Sequence, residues 1–393
     1  MGEFLYYINK SVLTLIAKNI GQGNGASLSA LDVLISLGQI DPHMALIYLY
    51  KNNIPKELDG KKILYSQSFI SPRSIDGTSR LNLKKMSNFI VKPFLINNLK
   101  NLSPRMSLVN SMGSHSLWKP IKEKYNWPGT LIIRESPDLY KRSSLEDVIN
   151  RFKFYNYFIF VSDLVRKKWL EFNEIDATRS FYIPNCVWEE RVEKISQNSK
   201  SNAKKKLFEN DNQFIAICTG EVKYRKGQDL IIENLKLICN LIPNFKLLLL
   251  GRQNQTFVKE LKSSLKKMNL EKRVGFIPHQ PNAIEYIYAA DVLLQPSRYE
   301  ALPRTILEAM ALKTPIVASD VDGIPELVED NTSAILFSLS NIDKMIKGIH
   351  TIFYNDSFRN QITEKAYKRY WDNFSREKHI QKYSEFINKI PYV

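Results

Sequence analysis

The chain has 393 residues, 44% of them apolar and 24% charged, and 56 Lys and Arg against 40 Asp and Glu give a net charge of +16. This is the composition of a soluble globular protein, and the length exceeds one ordinary core, so two domains are expected. The longest apolar runs, AILFSL, KLLLLG and NYFIFVS, are strand-sized and too short to cross a bilayer.

The amino terminus, MGEFLYYINKSVLTLIAKNIG, carries Glu3, two lysines and no small-residue cleavage site. It reads as a first strand region rather than a signal peptide, and the protein is expected in the cytosol. Cys186, Cys218 and Cys239 are too widely spaced for a disulfide framework or a CxxC metal pattern and are expected as buried free thiols. The five histidines show neither HxH nor HxxxH spacing, so no metal or other cofactor is expected.

In chain order, the first strand leads into GQGNGASLSALDVLISLG, residues 21–38. Gly23 and Gly25 permit close backbone approach, and the helix start behind them favours an anion. Such a loop could serve NAD, but IYLYKNN supplies no acidic residue for a ribose hydroxyl, which disfavours a dehydrogenase. Residues 51–100 hold ten Lys or Arg against three Asp or Glu, a charge of +7. Lysines there alternate with apolar residues, which suits an anionic membrane surface or a phosphorylated acceptor and equally a solvated helix face. No nucleic-acid motif accompanies the charge, so no nucleic-acid partner is expected.

Strands are predicted at SVLTLIA, HMALIYLY, KKILYS, SLVNS, TLIIRES, YFIFVS and SFYIPN in the first half, and at FIAICTG, FKLLLLG, RVGFIP, DVLLQPS, PIVAS and AILFS in the second. Their alternation with helical stretches predicts doubly wound α/β domains. The lysine-rich segment 193–212 reads as a linker and an exposed helix start. The expected division is residues 1–195, residues 196–370, and a carboxyl-terminal helix at 371–393 suited to packing back on the first domain. Ligands of such sheets bind beyond the carboxyl ends of the strands, here in a cleft expected between the two domains.

Two chemistry-bearing segments lie in the second half. CTGEVKYRKGQDLIIENL runs from a strand through a loop into a helix near Gly227, with Arg225 and Lys226 placed either to neutralise a diphosphate or as solvated loop cations. RYEALPRTILEAMALKTPIVASDVDGIPELVED sets Glu300 in a loop and Glu308 eight positions on, within a helix that Pro303 opens. Two carboxylates so placed can accept hydrogen bonds from separate hydroxyls of one polyol. On spacing alone the pair equally suits a helix-dipole cap and a solvated side chain. The helix start at Gly323 offers N–H groups to a phosphate.

These ordered motifs, together with FVSD and YIPN upstream, resemble the retaining glycosyltransferases of family 4, most strongly from Thr219 to Val328. The resemblance implies a GT-B fold of two facing Rossmann-like domains and a metal-independent enzyme. Its partners would be a nucleotide-sugar donor and a saccharide or lipid-linked acceptor in cell-surface polysaccharide or glycolipid synthesis, with a place in the cytoplasm or on the inner face of the membrane. It also implies that Glu308 holds the ribose, Glu300 lies by the transferred sugar, and Lys226, helped by Arg225, binds the diphosphate. Gly23 and Gly25 would face that diphosphate, and Gly220, Gly323, Leu302, Pro303 and Arg304 would belong to the donor site.

The sequence departs from the family pattern at Glu221, in place of an arginine, and at Cys186, Ala301, Lys313 and Asp322, in place of glycines. The family often has a histidine after the TLIIRES strand; here Arg134 and Glu135 stand there, with His115 in the preceding SMGSHS loop, and each of the three is a candidate for contact with the acceptor. His115 equally suits a loop histidine resting on a carbonyl. Glu221 and the lost glycines motivate one alternative, a GT-B protein that binds nucleotide or partner without transfer; a second, a nucleotide-sugar isomerase of this fold, is disfavoured because the E-x7-E loop follows the transferase pattern.

Overall fold

The computed structural model describes residues 13–20, 25–40, 45–51, 64–66, 96, 99, 103–208 and 212–390. The chain forms two compact units, residues 1–185 with 379–393, and residues 186–378. Gly23 and nearly all of the basic stretch 51–100 lie outside the described residues.

The first unit holds a seven-stranded parallel sheet in the order β3-β2-β1-β4-β5-β6-β7. Its strands are β1 (Leu13–Ile20), β2 (Ala45–Lys51), β3 (Leu64–Ser66), β4 (Met106–Asn110), β5 (Gly129–Ile133), β6 (Tyr157–Phe160) and β7 (Ser180–Tyr182). β4 and β5 are buried at every position, as expected of strands covered on both faces. Gly25 opens the helix Gly25–Ile40 that follows β1. In the same unit His379 Nδ1 lies 2.8 Å from the Ser36 hydroxyl, and Arg105 donates to the carbonyls of Ile387 and Ile390 at 3.0 and 2.8 Å.

The second unit holds a six-stranded parallel sheet in the order β10-β9-β8-β11-β12-β13. The strands are β8 (Phe214–Thr219), β9 (Phe245–Leu250), β10 (Val274–Ile277), β11 (Val292–Gln295), β12 (Ile316–Ser319) and β13 (Ile335–Phe337). Its core joins Ala216, Leu247, Leu249, Leu294, Val317 and Phe337 to the helices above and below. Residues 193–212, expected as a linker and an exposed helix start, include part of helix Glu189–Ser196 and all of helix Lys200–Leu207, which has no buried residue; lysine is a good helix former, so a run of it does not end a helix. Among the described residues no helix is long and apolar enough to cross a membrane.

In each sheet the strand order reverses once, between β1 and β4 and between β8 and β11. In the second sheet the loops that leave the neighbouring strands β8 and β11 run in opposite directions, and this opens a crevice. The loops after β8 and β11 therefore meet at the carboxyl edge of the second sheet.

Candidate functional site

The loop after β8 ends in a single turn, Tyr224–Lys226, and then Gly227. Gly227 has φ +70, and a Cβ on it would stand 1.8 Å from the carbonyl oxygen of Pro296, just beyond β11. Only glycine lets the two loops approach this closely. Arg298 fastens them from the other side: its guanidinium bonds Asp229 at 2.9 and 2.8 Å and lies 3.8 Å from the Tyr224 ring centre.

Between these ties the chemistry gathers on Glu300. Its Oε2 accepts from Lys226 Nζ at 2.7 Å, from Arg225 Nη1 at 3.0 Å and from the Ser297 hydroxyl at 3.4 Å. The Lys226 and Glu300 side chains are only 11% and 15% exposed. Burial opposes charge on Glu300, but Lys226 and Arg225 outweigh it and hold the carboxyl below its ordinary value. Burial also pulls the Lys226 ammonium down, with Glu300 opposing and Arg225 assisting. Two cations share one carboxylate, so the cluster carries surplus positive charge.

This cluster is positioned by several residues for which no role in the site is predicted from the sequence. Asp322 Oδ2 accepts from the Glu300 backbone N–H at 2.8 Å, at the position read as a lost glycine. Its φ of 45° lies in the left-handed region, which Asp tolerates better than most residues. Thr305 donates to Gln295 at 3.0 Å, Gln295 to Ser297 at 2.7 Å, and Ser319 to the Ser297 carbonyl at 2.6 Å. Polar residues ending an apolar strand, as in LLQPS and IVAS, were the available signal. Thr219, the last residue of β8, has a buried hydroxyl with no hydrogen-bond partner among the described residues.

Glu308 is not a solvated side chain. It is 8% exposed on helix Arg304–Ala311, where its Oε1 accepts from Arg304 Nε at 3.0 Å. Pro303 stands one position ahead of the expected one, as the cap before the first turn, and Leu302 is buried beside it. Arg304 reaches the Cys186 carbonyl at 3.3 Å. Gly220 has φ +123, and a Cβ there would touch the Lys226 side chain at 3.4 Å. The Gly323 N–H, expected to be open to phosphate, donates instead to the Glu300 carbonyl at 3.2 Å. Glu221 is paired with Lys223, while Arg225 is engaged by Glu300.

In the first unit, His115 is the first residue of helix His115–Tyr125, not a loop residue, and its Nδ1 lies 2.9 Å from the Tyr155 hydroxyl. Burial pushes the Tyr155 hydroxyl well above its ordinary value, so it keeps its proton. His115, Lys119, Asp147, Arg151 and Phe154 line a cavity of about 560 Å³. Arg134, just beyond β5, donates from Nε to Asn110 at 3.0 Å and also bonds the Asn185 side chain, while Glu135 accepts from the Arg134 backbone N–H at 3.0 Å.

Residues 199–369, inside the second unit, match the family model for glycosyl transferases group 1. An uncharacterized glycosyltransferase of Haemophilus influenzae is 22% identical over 355 residues, 88% of this chain and 92% of that protein. The lipopolysaccharide core biosynthesis mannosyltransferase LpsB of Rhizobium meliloti is 33% identical over 132 residues, 33% of this chain and 38% of LpsB. Among solved structures, Anabaena HepE in complex with UDP and glucose matches with a TM-score of 0.78 at 18% identity, over 97% of this chain and 100% of that one. The two doubly wound α/β units are those of the GT-B fold.

Proposed function

We propose that this chain, whose residues 199–369 belong to the glycosyl transferases group 1, moves a sugar from a nucleotide-sugar donor to a saccharide or lipid-linked acceptor. In this reading the reaction is metal-independent, retains the anomeric configuration and serves cell-surface polysaccharide or glycolipid synthesis. The observation that carries it is the convergence of Lys226 and Arg225 on Glu300 where β8 and β11 part.

A diphosphate entering that crevice meets two cations that share one carboxylate. It draws hydrogen bonds from Lys226 and Arg225, and Glu300 is left to face the hydroxyls of the transferred sugar. Glu308, oriented by Arg304, takes the ribose, and the buried Thr219 hydroxyl gains a partner. In the transfer, the bond from the anomeric carbon to the phosphate oxygen breaks while the acceptor oxygen bonds the same face. The acceptor proton passes to the departing phosphate oxygen, and Lys226 and Arg225 balance the charge that develops there. His115, Arg134 and Glu135 are assigned to the acceptor. LpsB and the UDP-bound Anabaena protein support the substrate class, with a uridine nucleotide as first candidate.

A thermal-shift panel of nucleoside diphosphates and their sugars, with and without EDTA, tests the reading, because a ligand that binds only the native state raises the midpoint by mass action. The expected result is a rise with one nucleotide family that survives EDTA. No rise with any nucleotide would overturn the donor site, and loss of the rise in EDTA would overturn metal independence. The basic residues 51–100 support a peripheral place on the inner face of the membrane. Failure to sediment with anionic vesicles at low salt would remove that part.

A further inference from the structure

The second unit has another cationic cavity, at the opposite edge of the sheet from Glu300. It encloses about 460 Å³ where Phe214 begins β8, Asp291 precedes β11 and Pro315 precedes β12. Four cations line it: Lys200 and Lys204 from helix Lys200–Leu207, Lys313 from the turn after helix Arg304–Ala311, and Arg359 from helix Asp356–Asn373.

Three of the four are already engaged. Asp291 Oδ2 accepts from Lys204 Nζ and from the Ile215 N–H, each at 2.7 Å. Lys313 bonds Glu364 at 2.7 Å, and Arg359 bonds Asp356 at 2.9 Å and the Ile352 carbonyl at 3.1 Å. Lys200 has no ion-pair or hydrogen-bond partner among the described residues. Burial above all lowers its ammonium to about 8, with Asp291 opposing and Lys204 and Arg359 assisting. A partly buried cation among cations costs free energy unless an anion joins it. A cavity of this size suits a small ligand.

We propose that this cavity is a second ligand site, separate from the donor site, which takes a phosphate group carried by a soluble small molecule or a lipid headgroup, with Lys200 as its principal partner. The phosphate adds the charge that Asp291 alone does not supply and bridges Lys200 and Lys204 on one helix to Arg359 on another. The proposal rests on this cavity alone and stands whether or not Lys226 binds a diphosphate.

Isothermal titration of the full chain with inorganic phosphate tests it, beside co-sedimentation with phosphatidic acid vesicles to separate the two sources. Saturable binding is expected in the wild type and in Lys226→Met. Loss of one charge-assisted hydrogen bond should weaken it about tenfold in Lys200→Met, and Lys200→Arg should restore it. A thermal melt of Lys200→Met without phosphate checks that the unit is folded. Equal affinity in folded Lys200→Met would overturn the proposal. So would binding lost in Lys226→Met but kept in Lys200→Met, which would place the phosphate at the donor cations, and so would no saturable binding with either source.

Discussion

Lys226→Met separates binding from folding, and the structure sets the size of each effect. Breaking a buried ion pair commonly costs about 3–5 kcal/mol because a charge is stranded. Here Glu300 keeps Arg225 at 3.0 Å and Ser297 at 3.4 Å, so its charge is not stranded. Removing Lys226 also removes an ammonium that burial disfavours. The net loss of stability in the unliganded protein should be at most about 2 kcal/mol, or up to about 8 °C in melting midpoint for a unit of this size. A bound diphosphate loses one of two charged donors, worth about 1.5–3 kcal/mol, so uridine diphosphate should bind about ten- to a hundredfold more weakly. Calorimetric melts and nucleotide titrations on the same preparation measure both quantities. Nucleotide affinity within about twofold of wild type, in a folded variant, would refute the assignment of Lys226.

Gly227→Ala should unfold or severely destabilise the second unit, because the new Cβ would stand 1.8 Å from the Pro296 carbonyl at φ +70; a wild-type melt by circular dichroism would contradict this. Asp322→Ala should cost about 2–4 kcal/mol, from a lost charged acceptor and a left-handed alanine, whereas Asp322→Asn should stay within about 1 kcal/mol of wild type; denaturant melts that rank the two equally would sink the clamp. Lys200 titrates at about 8 when folded, below its ordinary 10.5, so the unfolded chain binds the extra proton between those values and stability rises with pH across that window. Lys200→Met should therefore be more stable than wild type below pH 8, and the gap should close as the pH approaches 10.5, which melts across that range would show.

The strands were legible in the sequence because a parallel strand buried on both faces reads as an unbroken apolar run. FIAICT, the whole of β8, is buried at each of its six positions. Strand order is not written in any one run. β8 lies beside β11, with β9 on its other side, and this follows from how the crossovers pack rather than from the composition of FIAICT or VLLQ. His115 was expected in a loop at SMGSHS, yet the helix already begins there, and the tyrosine that meets it lies 40 residues on.

The same distinction divides the site. Glu308 and Arg304 are four positions apart on one helix, a pairing that helical geometry alone predicts. Glu300 meets Lys226 and Arg225 across 74 and 75 residues, a contact that exists only because two loops leave adjacent strands at the point of reversal. Asp322 stands where the family pattern has a glycine. The left-handed backbone does cost a non-glycine residue about 1 kcal/mol or more. Against it stands a 2.8 Å hydrogen bond from the Glu300 N–H to a charged acceptor, worth about 1.5–3 kcal/mol, which a glycine could not make. The substitution thus exchanges backbone freedom for a fixed Glu300, and in the proposed reaction, where Glu300 faces the sugar while its cations turn to the phosphate, a fixed carboxylate gains more.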